Sequence, residues 1–364
     1  MKQAIFSISG VLGVDRLFAF LNRNRPVVLV FHGVTAEAPG HLCNHEGMHL
    51  HLPIFERLMA FVAARYHAVP LASVVDWLEG KGTLPERAVV VTFDDGYRNV
   101  LTQAAPVLKH FGIPATLFVA TDFVFRGEIM WTDRLVSALT LTREKEISID
   151  VQGDTITLPL RSHADKTAAD RQLLAACKAL PDAGRAAFVH RVLEKLGVDQ
   201  SLLSTAWPDH APLSPDELKQ LPEFGIEVGS HTCSHAIATR MSDEQMAREL
   251  SESKRMIESA VGRACDGFSY PNGSPTDYSA ATRARVIEAG YRCAVTTIKT
   301  SVAPYQDPFE IPRCTLTHNR ITLPEFAAEV SGFPRFLRGV KGRVSGHGGV
   351  EAGSWRAHAR SDAA

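Results

Sequence analysis

Apolar residues along this chain follow two alternating rhythms. Largely apolar runs at 27–31, 88–93 and 115–120 carry the signature of buried strands, because a strand covered on both faces has no need of polar alternation. Between them lie stretches with helical spacing. Ile54, Phe55, Leu58, Met59 and Val62 share one helical face within 53–66, and a second helix through Val107, Leu108 and Phe111 stops at Gly112. The same alternation returns from Leu213, with strands predicted at 226–229, 267–270 and 294–297 and helices at 243–261 and 280–289. Strand and helix in turn predict an α/β fold built on parallel strands.

The rhythm breaks between 131 and 212. Residues 147–151 and 155–158 alternate around Gln152, Gly153 and Asp154, a hairpin signal. Two amphipathic helices are predicted after it, at 167–180 and from Asp182, read as an N-cap, to Gly197. An excursion of ~80 residues far exceeds ordinary connections of ~4–6, so it reads as an α-rich, lid-like inserted subdomain. The α/β domain then comprises 26–130 and 213–334.

The ends differ from the middle. Residues 5–14 are apolar after Lys2, but Asp15 and Arg16 interrupt the run while Phe18, Phe20 and Leu21 continue an amphipathic pattern. Residues 1–25 therefore read as an amphipathic helix that packs on the domain or lies at a membrane surface, not as a cleaved leader. Residues 335–364 are rich in Arg, Lys, Gly and Ser and read as a flexible basic tail able to touch an anionic membrane. No apolar run is long enough to span a bilayer.

Charge adds an exclusion. Lys and Arg number 39 against 40 Asp and Glu, a net charge of −1, which removes any global electrostatic case for nucleic acid as a partner. The six cysteines show no C-x-x-C spacing and fit reduced thiols. A cytoplasmic protein, peripheral to the inner face of the membrane at most, is the expectation.

The chemistry sits at strand ends. Asp94 and Asp95 close the strand that ends at Phe93, and His231 and His235 follow the strand near 226–229. One carboxylate with two imidazoles is a first shell for a catalytic divalent metal, and the second carboxylate is left to move a proton. Neighbouring residues at a strand end leave on opposite sides, so the two Asp can divide these roles. If 230–235 begins a helical turn, His231 and His235 share one face, with Cys233 pointing away to pack. Thr317 and His318 end the last strand-like run, and an imidazole with a pKa of ~6.5 can serve as a general acid there. The turn after Phe268, Ser269 and Tyr270 (Pro271, Asn272, Gly273) can present an N–H to a developing oxyanion, making Tyr270 and Asn272 oxyanion or substrate candidates. His32, after the first strand, is a substrate candidate on the same face. His41, Cys43, His45, His49 and His51 share one loop; a second metal site is one reading, and lining the mouth of the site or simply facing water is the better one.

In their order, Thr92-Phe93-Asp94-Asp95-Gly96, His231-Thr232-Cys233-Ser234-His235, the strand and Pro-x-Gly turn, and Leu316-Thr317-His318 resemble the polysaccharide deacetylases of carbohydrate esterase family 4, which include the nodulation-type chitooligosaccharide deacetylase homology domain. Val30 to Val34 and Gly112 to Val119 resemble framework strands of that family. The resemblance implies a distorted (β/α)7-type barrel and metal-dependent removal of N-acetyl groups from amino sugars. It further implies Asp94 as general base, Asp95, His231 and His235 as metal ligands, His318 as acid to the leaving amine, and an oxyanion contact near Asn272. Zinc is the expected ion.

Two departures stand out. The family often places an Arg in its third motif, where this chain has Ser269, and Arg313 is the residue expected to supply that cation to Asp94. The family's fourth motif is not recognisable between 294 and 304. The expected substrate is an N-acetylated sugar in a polysaccharide, oligosaccharide or lipid-linked precursor. Alternatives are a deformylase or another linear or cyclic amidase on the same metal site, and a non-catalytic glycan-binding relative.

Overall fold

Five consecutive buried apolar residues form strand β1, Val27–Phe31, in the computed structural model, which describes residues 13–37, 40–316 and 321–337. β1 pairs in parallel with β5 (Ala88–Phe93) on one side and β12 (Cys314–Thr315) on the other. The sheet continues from β5 through β6 (Ala115–Val119), β9 (Ile226–Ser230) and β10 (Gly267–Ser269) to β11 (Cys293–Val295), with a short β4 (His67–Ala68) beside the start of β5. Every pairing in this sheet is parallel. The edges meet through the segment leading into β12. Ile311 bridges Val295, its N–H donates to Ala294 O at 2.9 Å, and Thr296 N–H donates to Ile311 O at 2.8 Å. Seven strands thus curl into a distorted (β/α) barrel, and closure leaves no long unpaired edge.

The helices cover the outside as their spacing demands. Leu52–Arg65 buries Phe55, Leu58, Met59 and Val62, and Asp243–Val261 buries Met246, Leu250 and Ile257. Register then decides where chemistry lies. Phe31 pairs with Phe93, and Ser230 pairs with both Val119 and Phe268. The residues just past these strand ends, His32, Asp94 and His231, therefore emerge together at the carboxyl end of the barrel.

Beside that end, β2 (Gly33–Thr35) and β3 (His49–His51) form a small parallel pair. Gly33 is required there, because a Cβ would lie 2.4 Å from His49 Nδ1. The inserted region carries its own apolar core. Hairpin β7 (Glu146–Val151) and β8 (Asp154–Pro159) packs with helices Trp131–Leu141, His163–Ala179 and Asp182–Lys195 around Leu135, Ile149, Leu173, Phe188 and Val192.

Asp182 does not cap its helix. It is the first helical residue, after Pro181, and its carboxylate accepts from Gln245 Nε2 at 2.6 Å and pairs with Arg185. Ser162, five residues before the predicted helix start near 167, is the cap that sets the preceding helix, through a capping box with Asp165. Near the amino end, helix Val14–Leu21 packs Phe18 against Phe333 and Phe336, with Asn22 Nδ2 donating to Ser331 O. Residues 1–12 and 338–364, and His318, lie outside the described residues. Among the described residues no helix is long and apolar enough to cross a membrane.

Candidate active site

Asp94 and Asp95 follow β5 directly and part company at once. Asp94 turns toward Arg313, which lies just before β12 and is fully buried. Its Nη1 donates to Asp94 Oδ1 and its Nη2 to Asp94 Oδ2, both at 2.7 Å. The remaining guanidinium donors reach Ser269 Oγ at 2.9 Å, Thr92 Oγ1 at 3.2 Å and Thr296 O at 3.0 Å. A two-point pairing of this kind fixes the carboxylate plane as well as its charge. Burial alone would raise the Asp94 carboxyl, but Arg313, His231 and the Arg313 hydrogen bonds outweigh it and hold Asp94 well below the usual carboxylate range. Arg313 is thus the cation paired with Asp94, and Ser269 touches both partners.

Asp95 has no such cation. It adopts φ 80°, and its Oδ1 lies 3.6 Å from His231 Nε2 and 3.5 Å from His235 Nε2. Ligand atoms of the three residues fall within 4.8 Å of one another, and all three residues are buried. Burial, then Asp94 and Asp133, push the Asp95 carboxyl up. Burial pushes both imidazoles down, His235 well below its ordinary value. A carboxyl short of positive charge beside two neutral imidazoles is the donor chemistry that a divalent cation satisfies. His231 Nδ1–H donates to Ser269 O at 2.7 Å, which leaves Nε2 as the free donor atom facing Asp95.

The imidazoles do not meet through a helical turn. Residues 231–235 are an irregular loop with φ 67° at Thr232 and 56° at His235. A β-branched residue at positive φ is strained, and the loop is held there from outside. Glu249, on helix Asp243–Val261, accepts from Cys233 N at 2.7 Å, Ser234 N at 3.0 Å and Ser234 Oγ at 2.8 Å. Cys233 is buried packing, as expected. Trp131 Nε1, from the insertion, donates to His235 O at 3.2 Å.

Asp94, Asp95, His231 and His235 line a cavity of about 310 Å³ with His32, Asn272, Thr297 and Thr315. His32 is held by burial at a pKa of about 4, hence neutral near pH 7. Asn272 has φ 59°, and among the described residues its N–H donates to no protein acceptor. Tyr270 is a correction: its hydroxyl donates to Phe309 O, its N–H to Val295 O, and its ring stacks on Tyr278, so it packs behind the site. Of the histidine-rich loop, Cys43, His45 and His49 reach the cavity wall, while His41 stacks on Trp207.

Sequence reasoning missed the contribution of the insertion. Asp133 accepts from Tyr97 OH at 2.9 Å and lies 3.9 Å from His210 Nε2, and all three line the cavity. No spacing motif links these residues; only the fold of the insertion over the barrel end brings them in.

The strand ends of a parallel barrel thus bring together a buried Asp and two buried His that could hold a metal ion. Residues 81–294, more than half of the chain, match the family model described as polysaccharide deacetylase. The chain belongs to that family, whose members hydrolyse carbon–nitrogen bonds other than peptide bonds.

The poly-beta-1,6-N-acetyl-D-glucosamine N-deacetylase of Escherichia coli (strain K12) is 44% identical over 50 residues, 14% of this chain and 7% of that protein. The Bacillus subtilis (strain 168) protein YxkH is 27% identical over 85 residues, 23% of this chain and 29% of that protein. These matches span less than a third of either relative. Among solved structures, the Streptococcus pyogenes deacetylase PplD in complex with acetate gives a TM-score of 0.55 at 15% identity, covering 84% of this chain and 98% of that one. IcaB from Ammonifex degensii gives 0.53 at 18% identity, covering 85% and 97%. At such identities the likeness establishes the fold.

Proposed function

We propose that this chain removes N-acetyl groups from an amino sugar within a saccharide, using one divalent metal ion, most simply zinc. The observation that carries the reading is the division of labour between neighbours. Asp94 is kept ionised by Arg313, while Asp95 sits uncompensated between two neutral imidazoles.

Asp95, His231 and His235 would hold the ion, which when bound supplies Lewis acidity toward the amide carbonyl and water. Asp94 Oδ2 lies 4.0 Å from His231 Nε2, beside the ligand set, and takes the proton of the attacking water. Arg313 keeps that carboxylate anionic and oriented. The N–H of Asn272, a residue lining the cavity, stabilises the oxyanion. His318 gives a proton to the leaving amine, which amide hydrolysis requires because an amide nitrogen leaves poorly unprotonated. The Escherichia coli relative's name makes N-acetyl-D-glucosamine the first sugar to try.

The helix Val14–Leu21 adds a reading of location. Leu17, Phe20, Leu21 and Phe336 stay exposed beside Arg16 and Arg25, and the tail beyond is basic. This supports peripheral contact with an anionic membrane surface, for which binding to vesicles with and without anionic lipid is the check. The scatter of six cysteines without C-x-x-C spacing favours a reducing compartment.

Acetate release from N-acetylated saccharides, with chelated enzyme and with zinc restored, tests the function. Zinc-dependent release that Asp94→Asn abolishes is expected. Release of formate from N-formyl sugars with no acetate from any N-acetyl sugar would move the chain to a deformylase instead.

A further inference from the structure

The cavity extends well beyond the metal ligands, and its far wall belongs to the insertion. Helix His163–Ala179 presents Asp170, Leu174 and Lys178, spaced four apart and so on one face, into the cavity that also holds Asp94, Asp95, His231 and His235. Across from it, His45 comes from the loop that follows β2. His45 Nε2 and Asp170 Oδ2 are 2.7 Å apart, with side chains only 5% and 2% exposed. The remaining polar atoms of this pair are idle. Asp170 Oδ1 and His45 Nδ1 are buried, and among the described residues neither has a hydrogen-bond partner. Idle polar atoms in a buried wall are costly, and a ligand that satisfies them recovers that cost.

The wall has the complexion of a pyranose. A sugar ring offers hydroxyl donors and acceptors around its edge and a C–H face, matched here by a carboxylate oxygen, an ammonium and a leucine. A cavity of about 310 Å³ stands at the lower end of the ~300–1,000 Å³ usual for ligand sites, so it can take the reacting sugar with a neighbour reaching toward the mouth. We infer that Asp170, Leu174 and Lys178, with His45 holding Asp170 in place, form a second saccharide subsite for the unit next to the one being deacetylated. Asp170 Oδ1 accepts from a hydroxyl, Leu174 packs under the ring, and exposed Lys178 donates from the mouth. No bond is made or broken here. The inference rests on the saccharide reading of the active site, and it makes the enzyme one for oligomers rather than single sugars.

The test uses full-length, zinc-loaded protein and N-acetylglucosamine as monomer and as β-1,6- and β-1,4-linked tetramers. Asp170→Asn preserves the shape of the side chain, and Lys178→Ala alters an exposed residue that bears little on folding. In either variant the ratio of kcat/KM for the better tetramer to that for the monomer should fall about tenfold, through KM and not kcat. A fall in melting temperature with that ratio unchanged would overturn the subsite and leave the His45–Asp170 pair as a clamp on the insertion. Calorimetric binding of the tetramers to Asp94→Asn protein separates this inference from the reading beneath it. Tetramer binding weakened about tenfold by Asp170→Asn would uphold the subsite even if no acetate were released from any sugar. Equal tetramer binding with and without that substitution, or none at all, would overturn it.

Discussion

At the scale of single residues, the site turns on how two adjacent aspartates are given opposite characters. Asp94 owes its charge to Arg313, and a buried ion pair that loses one member typically costs about 3–5 kcal/mol, because the other charge is stranded. Arg313→Ala should therefore lower stability by about that amount and remove most turnover. It should also move the acid limb of the pH–rate profile upward, since without the guanidinium burial raises the Asp94 carboxyl and the base protonates at higher pH. A profile of kcat/KM against pH for the variant checks this, and undiminished turnover would deny Arg313 its role.

The aspartates and histidines were legible because their spacing relative to apolar runs is local information. The Asp94–Arg313 pair was legible only as a need: Ser269 stood where a cation was expected, and Arg313 was the available supplier. Tyr270 misled because a strand running into a Pro/Gly turn does not say which way its last side chain faces. Its ring packs on Tyr278 instead.

At the scale of elements, the loop 231–235 shows why the ligand geometry could not be read from an i, i+4 spacing. Helical spacing presumes helical φ, whereas here φ turns positive at Thr232 and His235 and the loop is tied to helix Asp243–Val261 through Glu249. Outer partners of metal ligands commonly matter by 10–100-fold in affinity. Glu249→Gln keeps the shape but weakens the three hydrogen bonds, so zinc affinity should fall about tenfold or more while the far-ultraviolet circular dichroism stays native. A zinc competition titration reads it directly. The boundaries of helix Asp243–Val261 coincide with the prediction because Ser242 caps it and Gly262, at φ 70°, ends it. The inserted hairpin was equally plain from its alternation. What the insertion does over the site was not, because Asp133 and His210 acquire meaning only through tertiary contact with Tyr97.

At the scale of the whole molecule, the alternation of buried strands and amphipathic helices is enough to give a parallel α/β sheet. Its closure depends on something no periodicity carries, the pairing of Ile311 with Val295 and of Cys314 with Leu29. Closure gathers buried titratable groups at one barrel end, and stability must respond to pH. His32 titrates near 4 in the folded chain against 6.5 when exposed, so its neutral burial contributes stability above about pH 6.5 that is lost progressively as pH falls toward 4. The raised Asp95 carboxyl works in the opposite sense, binding a proton more readily when folded. The comparison of metal-free wild type with His32→Gln isolates the first effect. Relative to the variant, wild type should lose melting temperature between pH 6.5 and 4, with a constant difference above 6.5.

The central claim is that Asp95, His231 and His235 hold the one ion on which amide hydrolysis depends. The most direct test measures zinc content and acetate release together, on wild type and on His231→Ala, before and after chelation. The account predicts one zinc per chain, acetate release that disappears and returns with it, and loss of both in His231→Ala. Acetate release that persists in the chelated protein, or in His231→Ala at the wild-type rate, would contradict it.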